Sequence, residues 1–313
     1  MSIVQRWGFA GVCAILLPAL LQADGKKAGH QHRLVEIPGD PILRRVQVVL
    51  ERPRRVIVDA TGRTLIADSG ANKVFRISKA GKVTTLADGL KEPSGLCLDK
   101  QGNCYVSNHA DGTAGKGTIV RIDADGKQTV IAKGLTGPKG MAFGPDGKLY
   151  VALFDDDRIV TLDKTGNVKN YCTDVTTPAA ICFDAKGFLY SANSTDGTVA
   201  KIDKNGKAKT VCTGLKVPSD IAISPEGEVI VTNYSGAFLT RIRPDGKTDA
   251  YLDVPAGTIG ICFRTDGNMV VVNWNLKLAI EVRNRLTAPC PHCKRRIPIR
   301  IKPKKKPKPK EII

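Results

Sequence analysis

Aromatic residues are scarce: two Trp, six Tyr and eight Phe make up 5% of the 313 residues. That composition argues against a chain built on aromatic stacking with bases or sugar rings. Histidine is rarer still. Of four, His30 and His32 precede the patterned region and His292 follows it, leaving His109 as its single imidazole. No serine elbow, phosphate loop or His-Glu-x-x-His motif occurs, so the familiar signatures of α/β-hydrolases, P-loop NTPases and zinc peptidases are missing. Acid is also short, with 48 Lys and Arg against 30 Asp and Glu and a net charge of +18. Half of that excess sits in residues 290–313, where ten cations face Glu311 alone. The basicity therefore belongs to one end and not to the fold. The 42% hydrophobic content is enough for a substantial core and excludes wholesale disorder.

The two ends read differently from the middle. Residues 1–23 place Arg6 ahead of an apolar stretch over 7–21, with the small Ala23 before Asp24. The stretch is shorter than the ~20 residues needed to cross a bilayer, and the pattern predicts a secretory signal peptide. The expected mature protein is extracytoplasmic, periplasmic or secreted, and begins with a polar leader over 24–45. At the other end, residues 288–313 hold Cys290-Pro-His-Cys293 and then Lys interleaved with Pro303, Pro307 and Pro309. Proline and like-charge repulsion predict an extended, disordered tail that associates with an anionic surface, a solvated tail being the plain alternative. Cys290 and Cys293 fit half a zinc site or a small disulfide, and no second ligand pair follows them.

Between the ends lies a repeat. Six stretches share a polar turn ending in Gly followed by an apolar run: DATGRTLIAD, DKQGNCYVSN, GPDGKLYVAL, DAKGFLYSAN, SPEGEVIVTN and RTDGNMVVVN. Their glycines, at 62, 102, 147, 187, 227 and 267, are spaced 40, 45, 40, 40 and 40. Nine residues before the Gly stands Pro in five units (Pro53, Pro93, Pro138, Pro178, Pro218) and Thr258 in the sixth. A second glycine turn follows in each of the first five units, and no stretch has helical period. About four short strands per 40 residues, separated by Gly turns, predict an all-β, six-bladed β-propeller of four-stranded antiparallel blades over residues 46–287. The last unit lacks a fourth strand. VQVVLERP (46–53) resembles the end of the first unit, so an N-terminal outer strand is expected to complete the sixth blade and close the ring.

The Pro-x-Gly-apolar openings (PSGLCLD, PKGMAFG), the Asp-x-x-Gly turns and the LYVA, LYSAN and VIVTN strands resemble those of the NHL-repeat and senescence-marker/gluconolactonase superfamily of six-bladed propellers. The resemblance implies that fold. Its functions are diverse, spanning lactonases, other hydrolases, isomerases and binding modules. Gluconolactonase-like members carry acidic and amide metal ligands just after the blade-opening Pro. The matching positions here are Arg54, Ser94, Lys139, Ala179, Ser219 and Ile259. None is a carboxylate, and Arg54 and Lys139 favour an anion. Asp220, one residue further on, is the only acid nearby.

In a propeller the loops leaving the second strands open on one face. Six residues after each turn Gly stand Asp68, Asn108, Leu153, Asn193, Asn233 and Asn273. On the same face the pattern expects His109, Asp111, the run Asp155-Asp156-Asp157, Asp196, Asp220, Tyr234 and Trp274. One reading is a ring of oxygen donors that hydrogen-bonds a polar ligand or holds a divalent cation such as Ca2+, with Asp68, Asn193, Asn233, Asp155 and Asp156 as metal candidates. The other is that Asn and Asp end strands and close Asx turns. His109 is the candidate acid or base. Two functions remain in view. The first is an exported module that binds a small polar ligand or a protein at the channel mouth. The second is a metal-dependent lactonase or esterase. Export argues against a nucleic-acid partner, and the opposite face mixes both charge signs as ordinary solvated surfaces do. Cys97, Cys182 and Cys262 recur at one inner-strand position and Cys172 and Cys212 at one outer position, as small packing residues do.

Overall fold

The computed structural model describes residues 35–37, 40–163 and 165–283. The amino- and carboxy-terminal segments, including Cys290 and Cys293, lie outside the described residues. Within them the chain forms six antiparallel sheets around an axis. The innermost strands are Pro53–Val58, Pro93–Leu98, Pro138–Phe143, Pro178–Phe183, Pro218–Ile223 and Thr258–Phe263. Each touches the next, and the sixth touches the first, so the ring is closed. Five sheets run outward through three further strands in sequence order, and the sixth runs through two and then adds two outer strands from the N-terminal side.

Local chemistry explains the blade. In four of the six first hairpins the residue after the inner strand (Asp59, Asp99, Asp184 or Ser224) gathers two of the turn's amide groups on its side-chain oxygen. Asp59 Oδ1, for example, accepts from the backbone N–H of Thr61 and of Arg63, both at 2.9 Å. The turn then needs a residue with positive φ, and Gly62 (+80°) supplies it. The strands that follow are covered on both faces by neighbouring blades. They therefore read as continuous buried runs without alternation, as in Leu149–Leu153, Val229–Asn233 and Met269–Asn273. The core is divided among the gaps between adjacent blades. Ile119, Met141 and Val151 fill the gap between the second and third, and Ile230, Ile261 and Val271 that between the fifth and sixth. Cys97, Cys104, Cys172, Cys182, Cys212 and Cys262 are free thiols, and burial pushes Cys104 up to about 12 and Cys262 up to about 11.

The closing strand differs in place from the sequence expectation. Asp40–Val46 pairs antiparallel with Leu278–Val282, and Val35–Ile37 pairs on its outer side. Apart from Val46, both lie in the stretch read as a leader, whereas 47–52 carries no strand. The physical reason is packing. Val48 and Leu50 continue the inward alternation of Val46 as a strand would, but they wedge into the gap between the sixth and first blades as a connection.

Candidate ligand-binding site

The second residue of each inner strand faces the channel mouth. Arg54, Ser94, Lys139, Ala179, Ser219 and Ile259 line a cavity of about 270 Å³, walled further by Phe154, Ser194, Val217, Tyr234 and Trp274. The third residue of each inner strand lies deeper, where the strands crowd the axis. Gly95, Gly140, Ala180 and Gly260 are small there. A Cβ on Gly95 would run into the carbonyl oxygen of Lys139, and one on Gly140 would meet the backbone of Ala180 and Ile181. The remaining third positions are Arg55 and Asp220. Arg55 Nη1 donates to Asp220 Oδ1 across the axis, and both side chains are buried. The pair occupies space that the small residues leave, and Arg55 reaches the cavity floor.

The walls are cationic. Arg54 stacks its guanidinium 4.0 Å over the Trp274 ring, donates Nη2 to Glu92 Oε1 at 3.0 Å and donates Nε to Ser69 Oγ at 3.3 Å. Burial lowers its pKa, partly offset by Glu92. Lys139 Nζ lies 3.0 Å from the centre of the Phe154 ring. Burial and the nearby Arg54 charge push its pKa down to about 8, against opposing pulls from Asp155 and Glu92. Its ammonium has no hydrogen-bond or ion-pair partner among the described residues. Ser94 Oγ is buried in the wall with no hydrogen-bond partner. No lining residue is a carboxylate.

His109 stands behind this wall, where Nδ1 is 3.1 Å from Glu92 Oε2. Nε2 is 3.0 Å from Asp155 Oδ2 but not aligned for a hydrogen bond. Glu92 is thus held between Arg54 and His109, and also accepts the Asp111 N–H at 2.8 Å. Burial pulls the Glu92 pKa up, but the hydrogen bonds from His109 and Asp111 together with the nearby Arg54 charge bring it below the ordinary carboxylate value.

The Asp and Asn residues that end the second strands turn away from the cavity. Asp68 is fully buried and accepts the N–H groups of Glu51, Arg52, Gly70 and Ala71 at 2.7–3.2 Å. Asn108 and Asn193 each donate Nδ2 to a Thr hydroxyl at 3.1 Å, on Thr118 and Thr198 respectively. Asn233 donates to Phe238 O and Thr240 Oγ1 and accepts Lys216 N–H. Asn273 donates to Pro255 O, Ala256 O and Thr258 Oγ1. Asp155 faces His109, and Asp156 pairs with Arg158 at 2.6 Å. Of the sequence candidates, Arg54, Lys139, Tyr234 and Trp274 line the cavity and Asp220 lies beneath it. Among the described residues no three His, Cys, Asp or Glu side chains are grouped to hold a metal ion. At the positions where the resemblance places metal ligands, the donor set of one guanidinium, one ammonium, two hydroxyls and two aliphatic side chains does not fit a divalent cation. Sequence reasoning missed Arg55, Glu92, Phe154 and Ser194. Arg55 and Asp220 did carry a signal, being opposite charges at a position otherwise Gly or Ala.

A family model described as the SMP-30/Gluconolactonase/LRE-like region matches residues 56–187 and 84–222. Among solved structures, a gluconolactonase from Xanthomonas campestris is 15% identical with a TM-score of 0.66, covering 83% of this chain and 99% of that one. Virginiamycin B lyase from Staphylococcus aureus is 17% identical with a TM-score of 0.58, covering 79% and 90%. A PQQ-bound aldose sugar dehydrogenase from Streptomyces coelicolor is 19% identical with a TM-score of 0.63, covering 77% and 97%. These are likenesses of fold. No curated protein matches the sequence.

Proposed function

The chain belongs to the SMP-30/gluconolactonase/LRE-like family, and we propose that it is a binding member whose channel mouth takes a small organic anion. One observation carries the reading. The six positions that face the cavity from the inner strands include Arg54 and Lys139 and no acid. Arg55 is neutralised by Asp220, and Glu92 offsets Arg54 from behind, so the ammonium of Lys139 is the uncompensated charge of the wall. The unpartnered Ser94 hydroxyl adds a donor, and Phe154, Val217, Ile259 and Trp274 suit a short carbon skeleton. Export and attachment of the basic tail to an anionic surface belong to the same proposal.

Calorimetric titration of the full chain with small carboxylates and phosphate monoesters, in EDTA, tests this reading. Saturable binding that weakens about tenfold or more in Arg54→Ala is expected, the scale of one charge-assisted hydrogen bond. Lactone or ester turnover that requires added Ca2+, Mn2+ or Zn2+ would overturn it in favour of the hydrolase alternative. That alternative draws its ligands from Asp68, Asn108, Asn193, Asn233 and Asp220, whose side chains are engaged by local backbone, hydroxyl groups or Arg55, with Asn108 Oδ1 alone of their oxygens lacking a partner among the described residues.

A further inference from the structure

We infer that Lys139 forms an imine with the carbonyl carbon of a small 2-oxo acid whose carboxylate is held by Arg54. This inference rests on the channel mouth being an anion site and names the ligand class. Three features of the geometry converge on it.

The first is the amine itself. Most lysines extend their ammonium into water, but Lys139 leaves the backbone of an inner strand and ends inside the cavity over the face of Phe154. No carboxylate reaches it, as an ion pair locking the proton in place would require. The ring face favours the ammonium form, while burial and the Arg54 guanidinium favour the free base. With a pKa near 8, roughly a tenth of the molecules carry a free amine at pH 7, enough for attack on a bound carbonyl.

The second is the Arg54 fork. Its Nε and Nη2 are engaged by Ser69 and Glu92, and its plane is fixed on Trp274. Nη1 carries no hydrogen bond among the described residues. A guanidinium held on two sides with one end open is preorganised for a carboxylate.

The third is Ser94. Its hydroxyl lies in the same wall, one blade from Lys139 at the equivalent position, and is more than nine-tenths buried without a partner. A buried hydroxyl left unpaired is costly, and a ligand oxygen between Arg54 and Lys139 would satisfy it. A 2-oxo acid offers a carboxylate and a ketone oxygen on adjacent carbons, matching one guanidinium, one amine and one hydroxyl.

The chemistry balances without a further reactant. The free amine adds to the ketone carbon, and the nitrogen's proton passes to the former ketone oxygen to give a carbinolamine. The C–O bond then breaks, the oxygen leaves as water with a second proton, and the C=N bond forms. Nothing is oxidised or reduced, and hydrolysis reverses the step.

Incubation of the full chain with pyruvate and sodium borohydride, followed by peptide mapping, tests the inference. Borohydride reduces the imine to a stable secondary amine, marking the lysine that formed it. The expected result is saturable labelling concentrated on Lys139, suppressed by lactate, which carries the carboxylate without a ketone. Labelling should be about tenfold lower in Arg54→Ala and absent at position 139 in Lys139→Arg, with thermal melts confirming that both variants fold. Labelling spread over exposed lysines with no excess at Lys139 would overturn the inference. If lactate and pyruvate bind but nothing is trapped, the imine fails and the anion site stands. If neither binds, both fail.

Discussion

Arg55 on the first blade and Asp220 on the fifth are 165 residues apart in sequence and meet in a buried ion pair on the propeller axis. Asp220 also accepts the N–H of Ile221 at 2.7 Å and, from the sixth blade, that of Ile261 at 2.9 Å. One carboxylate thus ties together the three blades that span the closure of the ring, directly below the cavity floor.

Removing one partner leaves the other charge buried, so Asp220→Ala is expected to cost about 3–5 kcal/mol. A fall in the urea midpoint at unchanged slope would register it, and a loss below about 1 kcal/mol would show the pair to be dispensable. The pH dependence has a definite sign. Burial outweighs Arg55 and pushes Asp220 up from 3.8 to about 6. The native state therefore binds this proton more tightly than the unfolded chain. This group's contribution is greatest at low pH and declines as pH rises from about 4 through about 6. The stability difference between the wild type and Asp220→Asn should follow that decline and level off above it. A rise over the same interval contradicts the assignment.

Asp68 has four backbone donors converging on one carboxylate. Asp68→Ala strands amide groups where the chain enters the first blade, and a loss of about 2 kcal/mol is expected. Chemical denaturation measures it. Retained stability together with loss of a metal-dependent activity would instead restore the oxygen-donor ring as a ligand site.

The fold was legible because its determinants are local and repeated. The glycine at positions 62, 102, 147, 187, 227 and 267 recurs with a fixed partner turn, and any blade predicts the next. The site was legible only in part. Asn193 at a strand end looks the same in sequence whether its amide faces a channel or bonds Thr198 across its own hairpin, because both need a short polar side chain. Arg55 and Asp220 form one feature only once the ring brings them together. The outer strand was misplaced by a few residues because Val48 and Leu50 continue the alternate burial of Val46 without joining a ladder, and alternation reports burial before it reports hydrogen bonding.

Gly95 couples packing to the site. Its N–H donates to Ser107 Oγ at 2.8 Å, and that hydroxyl donates to the carbonyl oxygen of Lys139 at 2.6 Å, stitching the second blade to the third at the backbone of Lys139. A methyl group at position 95 would press on both Ser107 Oγ and Lys139 O, so Gly95→Ala is expected to destabilise by about 1–3 kcal/mol. It should also lower borohydride trapping at Lys139 more than its residual unfolding explains. Unchanged melting and unchanged trapping would show that the inner strands separate freely there.

Anion affinity should depend on pH through Lys139. Below about 8 both Arg54 and the ammonium are charged. Above it the lysine loses its proton, while a guanidinium stays charged. A carboxylate probe whose own charge is constant over this range, such as lactate, is expected to bind about tenfold more weakly at high pH, the scale of one lost charge-assisted interaction. Lys139→Met should bind with the weaker affinity throughout and show no transition. Trapping with pyruvate should move the other way over the lower half of the range, since it requires the free amine, and should climb as pH approaches 8 before weaker binding limits it. Opposite slopes for binding and trapping in one protein, both abolished by one substitution, are difficult to obtain from any group other than the amine in the channel mouth. A flat lactate profile in the wild type would remove Lys139 from the site.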